Sequence, residues 1–283
     1  MYCVLVAALT ASCAPATIAT TPTPLVPTTT PSPTITTFPT STPTENCSLN
    51  TAHCLLNTEN CSPNTAHCSP PTENCSLKTA LCSPLAVLSL DEIPTYITQP
   101  FIPPSLGHNA EHPDWVRKDD GHYGMDIGYY QRDGKLFTGT PVQAALAGQI
   151  ASIVHDRPPY GNMLIVETPF EGIPPALVVA QSIPAGDSLY TLYAHLQNLE
   201  ALEIGQSVAC GQQLAETGLT GFTGGPHLHF ETHWGPPGQT FTSMAYYRAD
   251  ATPEELHNYE TWRLTDAFHL FDPMELLKLQ VTG

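Results

Sequence analysis

The pattern of apolar and polar positions divides the chain near residue 90. Before that point Thr, Pro and Ser dominate. The charged side chains of this part are those of Glu45, Glu59, Glu73 and Lys78. After it, short apolar runs alternate with glycine-containing turns, a pattern typical of β-strands joined by tight connections. Early acidic residues and apolar spacing over Pro253–Tyr259 predict a short helix.

These patterns predict a long stalk followed by one domain. A Thr/Pro-rich segment cannot bury enough apolar surface to offset the entropy lost on ordering, so residues 17–90 are predicted to be disordered. The roughly 190 residues that follow are long enough for one packed core. We therefore expect a mainly β domain over residues 91–283.

The first sixteen residues have the pattern of an export signal. Met1–Leu9 is an apolar run, and the small residues after it lead to Cys13. Small residues before a cysteine resemble a bacterial lipobox, although Thr10 replaces the usual Leu and no Lys or Arg precedes the run. Ala14–Ala16 offers an ordinary signal-peptidase site instead. We expect export, with a lipid anchor at Cys13 and free secretion both open.

Within the predicted stalk, residues 44–85 repeat with a period of fourteen. Each unit contains two cysteines at a constant spacing of seven, at Cys47, Cys54, Cys61, Cys68, Cys75 and Cys82. In an exported protein six cysteines permit three disulfides. His53 and His67 beside two of them would suit a metal site, but the third unit has Leu81 there. The near-identity of the units favours a spacer of variable length.

The formal net charge of −17 restricts the class of partner. Binding to nucleic acid requires clustered Lys and Arg, so nucleic acid is not an expected partner. The same charge disfavours electrostatic attachment to anionic lipid. The simplest interpretation is an acidic surface that stays soluble by self-repulsion.

Three separated blocks contain the candidate chemistry. The first is an H-x-x-x-D formed by His122 and Asp126, the second is the Tyr-Ala-His-Leu block around His195, and the third is the H-x-H of His227 and His229. Alternate residues of a strand share a face, so the two histidines of the third block point the same way, about 6.5–7 Å apart. That spacing suits adjacent tasks, one on a metal ion and one on its water.

Together these residues suit a catalytic zinc site. His122, Asp126 and His229 make a three-ligand set that leaves a fourth position open, which distinguishes catalytic from structural zinc. Zinc would activate water and polarise a carbonyl. His195 and His227 would then transfer protons or stabilise the oxyanion.

The blocks resemble the M23 family of peptidases, also called the lysostaphin or LytM type, over about residues 115–235. The likeness includes the Gly-containing turns from Ile204 to Gly221 that lead into Pro226–Glu231, and Asp272-Pro273 resembles the family's closing segment. The resemblance implies a twisted, mostly antiparallel β-sheet and one zinc ion per domain. It also implies that His122, Asp126 and His229 are the zinc ligands and that His195 and His227 are catalytic.

Two features depart from the family pattern. The Pro-rich connection over 168–188 is longer than usual, and we interpret it as a loop at the rim of the cleft. Cys210 lies at a turn position that is usually polar, and an unpaired packed thiol is the preferred interpretation.

Several neighbours of the three blocks have two interpretations each. Glu231 shares the strand face of the H-x-H pair, so it would accept a hydrogen bond from a ligand imidazole or form a structural salt link. Tyr123 and Tyr193 are near enough to donate to an oxyanion, but core packing is favoured. Asn162 would hold a turn or bind substrate, and the turn is favoured.

The resemblance implies a zinc endopeptidase that cleaves the peptides of bacterial peptidoglycan, in remodelling or lysis. One alternative is an inactive family member that binds or activates a wall hydrolase, but that alternative predicts the loss of a ligand or catalytic histidine, and all five residues are present. Another is a peptidase of a protein substrate.

Overall fold

The computed structural model describes residues 81–128 and 137–280. They belong to the second of two compact units, Thr72–Gly283. The predicted export signal with Cys13 and the predicted stalk up to residue 80 lie outside the described residues. The described part contains no helix that is long and apolar enough to cross a bilayer.

The described strands form two antiparallel sheets. The strands of the larger sheet are β1 (Ile97–Gln99), β2 (Met125–Gly128), β4 (Gly148–Arg157), β5 (Gly161–Thr168), β6 (Ser188–Ala194), β8 (Ser207–Val208), β10 (His227–Gly235) and β11 (His269–Phe271). Their order is β1-β2-β10-β6-β5-β4-β8, and β11 pairs with β10. The smaller sheet has the order β3 (Pro141–Gln143), β9 (Gln213–Thr217) and β7 (Leu196–Gln197). The predicted antiparallel β fold is confirmed.

The central strand β6 is buried on both faces, which explains why both of its faces contain apolar residues. Leu189 and Tyr193 point into one apolar cluster, which we call the first core. Tyr190 and Leu192 point into another, the second core. This alternation is the two-residue period of a strand. The larger sheet therefore lies between two separate cores.

In the described part of the chain, three α-helices pack on the sheets: α1 (Pro175–Gln181), α2 (Pro253–Arg263) and α3 (Pro273–Leu277). Helix α2 begins with a capping box, in which Thr252 and Glu255 each accept a hydrogen bond from the other's backbone N–H. The short helix predicted over 253–259 is thus confirmed, and it continues to Arg263. Its Tyr259 and Trp262 fill the second core.

Residues 81–90, which the sequence assigns to the stalk, pack against the domain. Leu85 and Leu88 are buried in the first core. Cys82 donates its backbone N–H to the carbonyl of Ala145 and forms a disulfide with Cys210. The prediction of an unpaired thiol at Cys210 is therefore wrong. The predicted stalk boundary at residue 90 is corrected for residues 81–90, because their leucines are buried in the core of the domain.

The predicted position of the 168–188 connection is also wrong. Thr168 pairs with Leu189 at one end of β5 and β6, whereas Tyr160 and His195 lie at the other end. The seven residues of β6 separate the two ends by about 20 Å. The connection contains α1, whose Leu177 is buried in the first core. It therefore packs on the core instead of lining the cleft.

Candidate metal centre

The H-x-x-x-D block and the H-x-H block meet because β2 and β10 are neighbours. Asp126 of β2 lies directly opposite His229 of β10 in the antiparallel register. His122 comes just before β2, in a bridge with Ile102. Among the described residues, these three side chains form a group that could hold a metal ion.

Three donor atoms converge at this point. The His122 Nε2 lies 3.1 Å from the Asp126 Oδ1 and 3.1 Å from the His229 Nδ1, and the last two atoms are 2.8 Å apart. An ion bound tetrahedrally at about 2.0–2.1 Å would place its ligand atoms roughly 3.3 Å apart. The spacing and the mixture of two imidazole nitrogens with one carboxylate oxygen therefore fit a small divalent cation.

Hydrogen bonds on the far side of each ring direct these nitrogens. The His122 Nδ1 lies 2.8 Å from the carbonyl oxygen of Pro100, which can only accept, so this nitrogen donates and Nε2 presents its lone pair. The His229 Nε2 donates to the Glu231 Oε1 at 2.9 Å, which leaves Nδ1 facing Asp126. Both rings are thus oriented for ligation before any ion binds.

The charges around the three donors also favour a cation. Burial raises the pKa of Asp126, but hydrogen bonds with His122, His227 and His229 outweigh it and hold this pKa far below its usual range. Burial lowers the pKa of His229, but the hydrogen bonds to Asp126 and Glu231 dominate and raise it to about 9. The His229 Nδ1 therefore binds either a proton or a cation, and the two compete.

His195 and His227 flank the three donors. The His195 Nδ1 donates to the carbonyl of Thr220 at 2.8 Å, and the His227 Nδ1 donates to the carbonyl of Gly225 at 2.8 Å. Their ring centroids are 4.8 Å apart, and the His227 Nε2 lies 3.3 Å from the Asp126 Oδ1. Each ring therefore directs its Nε2 towards the metal ligands.

Burial, followed by the neighbouring His229 and His227, lowers the pKa of His195 to about 3. This imidazole is consequently neutral at physiological pH, and its Nε2 can accept a proton. The five side chains named by the three sequence blocks line one open cleft. The cleft is also lined by Tyr160, Phe222 and Arg263.

Glu231 is a fully buried carboxylate behind His229. Its Oε1 accepts from His229 and from the Tyr160 hydroxyl, and its Oε2 accepts from the His233 Nε2 at 3.0 Å and the Trp262 Nε1 at 2.8 Å. Burial raises the pKa of Glu231, but the hydrogen bonds from His229 and His233 hold it well below its usual range. The sequence interpretation of Glu231 as an acceptor for a ligand imidazole agrees with this geometry.

The tyrosines of the two blocks do not face the reacting centre. Tyr123 is buried, and its hydroxyl donates to the carbonyl of Lys118. The buried Tyr193 hydroxyl accepts from the backbone N–H of Ala145. Both agree with core packing. Asn162 holds its turn, since its Oδ1 accepts from the backbone N–H of Asp156.

Sequence reasoning missed Trp262 and Arg263. Both come from the end of α2, and no motif near them in the sequence indicates a site. The sequence predicted a helix in this region, but that prediction does not specify which face of the helix meets the sheet.

Comparisons with known proteins identify a matching family and several similar proteins. The model of peptidase family M23 matches residues 120–240. The cell division protein DipM of Caulobacter vibrioides is 32% identical over 98 residues, which are 35% of this chain and 13% of DipM. An uncharacterized metalloprotease of Haemophilus influenzae is 28% identical over 137 residues, which are 48% of this chain and 22% of that protein. The chain thus spans a small part of both relatives.

Among solved structures, the catalytic domain of the antimicrobial peptidase lysostaphin from Staphylococcus simulans is 21% identical. The match covers 67% of this chain and 98% of that domain, with a TM-score of 0.37. The family match encloses the five site residues, and the structure places them in one cleft. Residues 120–240 of the chain thus match peptidase family M23.

Proposed function

We propose that this chain is a zinc-dependent endopeptidase that hydrolyses peptide bonds of bacterial peptidoglycan. The observation that supports the proposal is the arrangement of five side chains in one cleft of an M23 domain. The donor atoms of three of them converge where a cation would bind, and two neighbouring histidines direct Nε2 towards the same place.

The proposed zinc ligands are His122 through Nε2, Asp126 through Oδ1 and His229 through Nδ1. Two nitrogens and one oxygen with an open fourth position are the donor set of a catalytic zinc site. When bound, zinc supplies Lewis-acid polarisation of the scissile carbonyl and lowers the pKa of water towards 7.

His195 and His227 are the proposed catalytic residues. A neutral His195 accepts the proton that water loses as it attacks the carbonyl carbon, since its Nε2 is the unprotonated nitrogen. The proton then passes to the leaving amine, so that one water is consumed and two new termini are formed. His227 contributes a second imidazole 4.8 Å away, placed to stabilise the charge that develops on the carbonyl oxygen.

Export to the cell surface or the medium is part of the proposal. A disulfide between Cys82 and Cys210 supports an oxidising compartment, because reducing cytosol keeps most thiols free. The export signal and the lipid anchor at Cys13 remain predictions from the sequence.

The test is digestion of purified peptidoglycan by the full chain loaded with zinc. We expect new amino termini, shortened stem peptides or cross-bridges in the mass spectra of released fragments, loss of both with a chelator, and recovery on addition of zinc. The His195→Ala variant is the matched control for contaminating hydrolases. Activity that survives chelation would overturn the zinc assignment, and cleavage of proteins without cleavage of wall would overturn the substrate. Binding to the wall without release of termini would indicate the inactive alternative.

A further inference from the structure

The end of helix α2 reaches the metal centre from outside the region that matches the family. The family match ends at residue 240, whereas α2 spans Pro253–Arg263. Its Trp262 donates from Nε1 to the Glu231 Oε2 at 2.8 Å, and the ring of His233 lies against it at a tilt of 33°, with centroids 4.0 Å apart. The helix therefore supplies a donor to the carboxylate that orients His229.

Arg263 is the second contact from α2. Its Nε and one terminal nitrogen donate to the Asp119 Oδ1 at 3.2 and 3.1 Å, and its other terminal nitrogen donates to the Tyr160 hydroxyl at 3.1 Å. The same nitrogen lies 3.7 Å from the Glu231 Oε1. Asp119 comes three residues before His122, so this one guanidinium lies between the two chain segments that carry the proposed ligands.

We propose that Trp262 and Arg263 are positioning residues of the metal centre, which hold Glu231 and thereby keep the His229 Nδ1 directed at the ion. The part of this inference that concerns zinc binding rests on the proposed function.

The physical reason is that Glu231 has no solvent to replace a lost donor. It is fully buried and accepts four hydrogen bonds from side chains, one of them from α2. A buried carboxylate that loses a donor turns towards the remaining ones. The His229 Nε2–H then loses its fixed partner, and the ring becomes free to rotate. Partners behind metal ligands typically contribute about 10–100-fold to metal affinity.

The variants are Trp262→Phe, Arg263→Ala and Arg263→Lys. The first removes one N–H and keeps an aromatic ring, and the last keeps the positive charge. Arg157→Ala is the matched control, because Arg157 also anchors α2, through two hydrogen bonds of 2.6 Å to Glu255. The Arg157 side chain also contacts Asp250, just before α2, and none of the hydrogen bonds to Glu231 comes from it.

Two quantities are measured on each folded full chain. The first is the zinc Kd, by competition with a chromophoric chelator. The second is the exchange rate of the His229 Nε2–H, by NMR of protein with 15N-labelled histidine, which does not require metal. We expect Trp262→Phe and Arg263→Ala to weaken zinc binding by about 10–100-fold and to accelerate exchange, Arg263→Lys to have a smaller effect, and Arg157→Ala to change neither.

Unchanged zinc Kd and unchanged exchange in folded Trp262→Phe and Arg263→Ala would overturn the inference. If Arg157→Ala changed the zinc Kd and the exchange rate equally, the inference would also be overturned, because any loosening of α2 would then be enough to disturb the site. Should Arg263→Ala not fold, Trp262→Phe decides. If the unaltered chain binds no zinc but the variants accelerate exchange, the proposed function fails while the positioning role stands.

Discussion

The backbone of Gly124 lies directly against Glu231. A Cβ at residue 124 would be 2.9 Å from the Glu231 Cγ and 2.3 Å from the carbonyl oxygen of Phe230. The glycine between His122 and Asp126 thus lets the first ligand block approach β10 closely enough for both ligands to meet His229.

Gly124→Ala should therefore destabilise the domain and the site together. The atoms in the way are backbone and a buried side chain, so overpacking should lower the free energy of unfolding by about 1–3 kcal/mol. Zinc binding should weaken as well. Urea unfolding and chelator competition measure the two effects. Gly107→Ala is the control, because its Cβ would meet only the flexible end of Lys118, and equal effects of the two substitutions would contradict the explanation.

Substitution of any one proposed ligand should remove the metal. His122→Ala, Asp126→Ala and His229→Ala each leave two donors of the converging three, which is too few for tight binding. The zinc content of the purified proteins, measured by metal analysis, should fall from about one ion per chain towards zero. A variant that retains a full equivalent would remove that residue from the ligand set.

Substitution of the flanking histidines should separate metal binding from catalysis. His195→Ala and His227→Ala should keep near-normal zinc content and lower turnover by about 10²–10⁴-fold, the usual effect of a positioned proton-transfer group. The losses should not add in the double variant, since both residues act on one transition state. The His227 Nε2 lies 3.3 Å from the Asp126 Oδ1, so loss of zinc in His227→Ala would show that His227 is itself a ligand.

Shortening the chain should be harmless up to residue 80 and costly beyond it. A chain that begins at Leu81 keeps Leu85, Leu88 and the disulfide, so its unfolding midpoint and its rate on soluble wall fragments should be unchanged. A chain that begins at Asp91 loses about 1.5–3 kcal/mol for each buried leucine.

The disulfide contributes separately to this loss. Cys82→Ser alone should lower the free energy of unfolding by about 2–5 kcal/mol, because the bond joins residues 128 positions apart. Denaturant unfolding under oxidising conditions measures the effect of Cys82→Ser and the effect of shortening the chain. Equal stability of the chains that begin at Leu81 and at Asp91 would show that residues 81–90 do not stabilise the domain.

The pair of Arg157 and Glu255 should make stability depend on pH in the acid range. Hydrogen bonds from Arg157 lower the pKa of Glu255 from 4.5 to about 2. A lowered folded-state pKa stabilises the protein fully above the unfolded value, so this contribution is complete above about pH 4.5 and is lost as the pH falls through about 2.

Glu255→Gln should therefore be less stable than the unaltered chain at pH 7, and the difference should shrink between pH 4.5 and 2. Urea unfolding at several pH values measures this difference. Arg157→Gln should reduce the same pH dependence, since it removes the cause of the shift. A difference that stays constant down to pH 2 would refute the assignment to this pair.

The sequence alone determined the local features of the site. The spacing of His122 and Asp126 is read directly from the chain, and strand periodicity places His227, His229 and Glu231 on one strand face. The antiparallel arrangement came from the family resemblance, whereas the β-strands and the start of α2 followed from equally local patterns of apolar runs, turns and early acidic residues. Such properties depend on neighbouring residues, which the sequence shows directly.

The tertiary structure alone decided which distant elements touch. It joined Cys82 to Cys210, placed 168–188 on the core instead of the cleft rim, and brought Trp262 and Arg263 to Glu231. Periodicity assigns a residue to a face of its own strand or helix, but it does not specify what that face meets. That choice is made when two cores form on opposite faces of one sheet, and the segments that contribute to them, residues 81–90 and α2, lie outside the three blocks that contain the site residues.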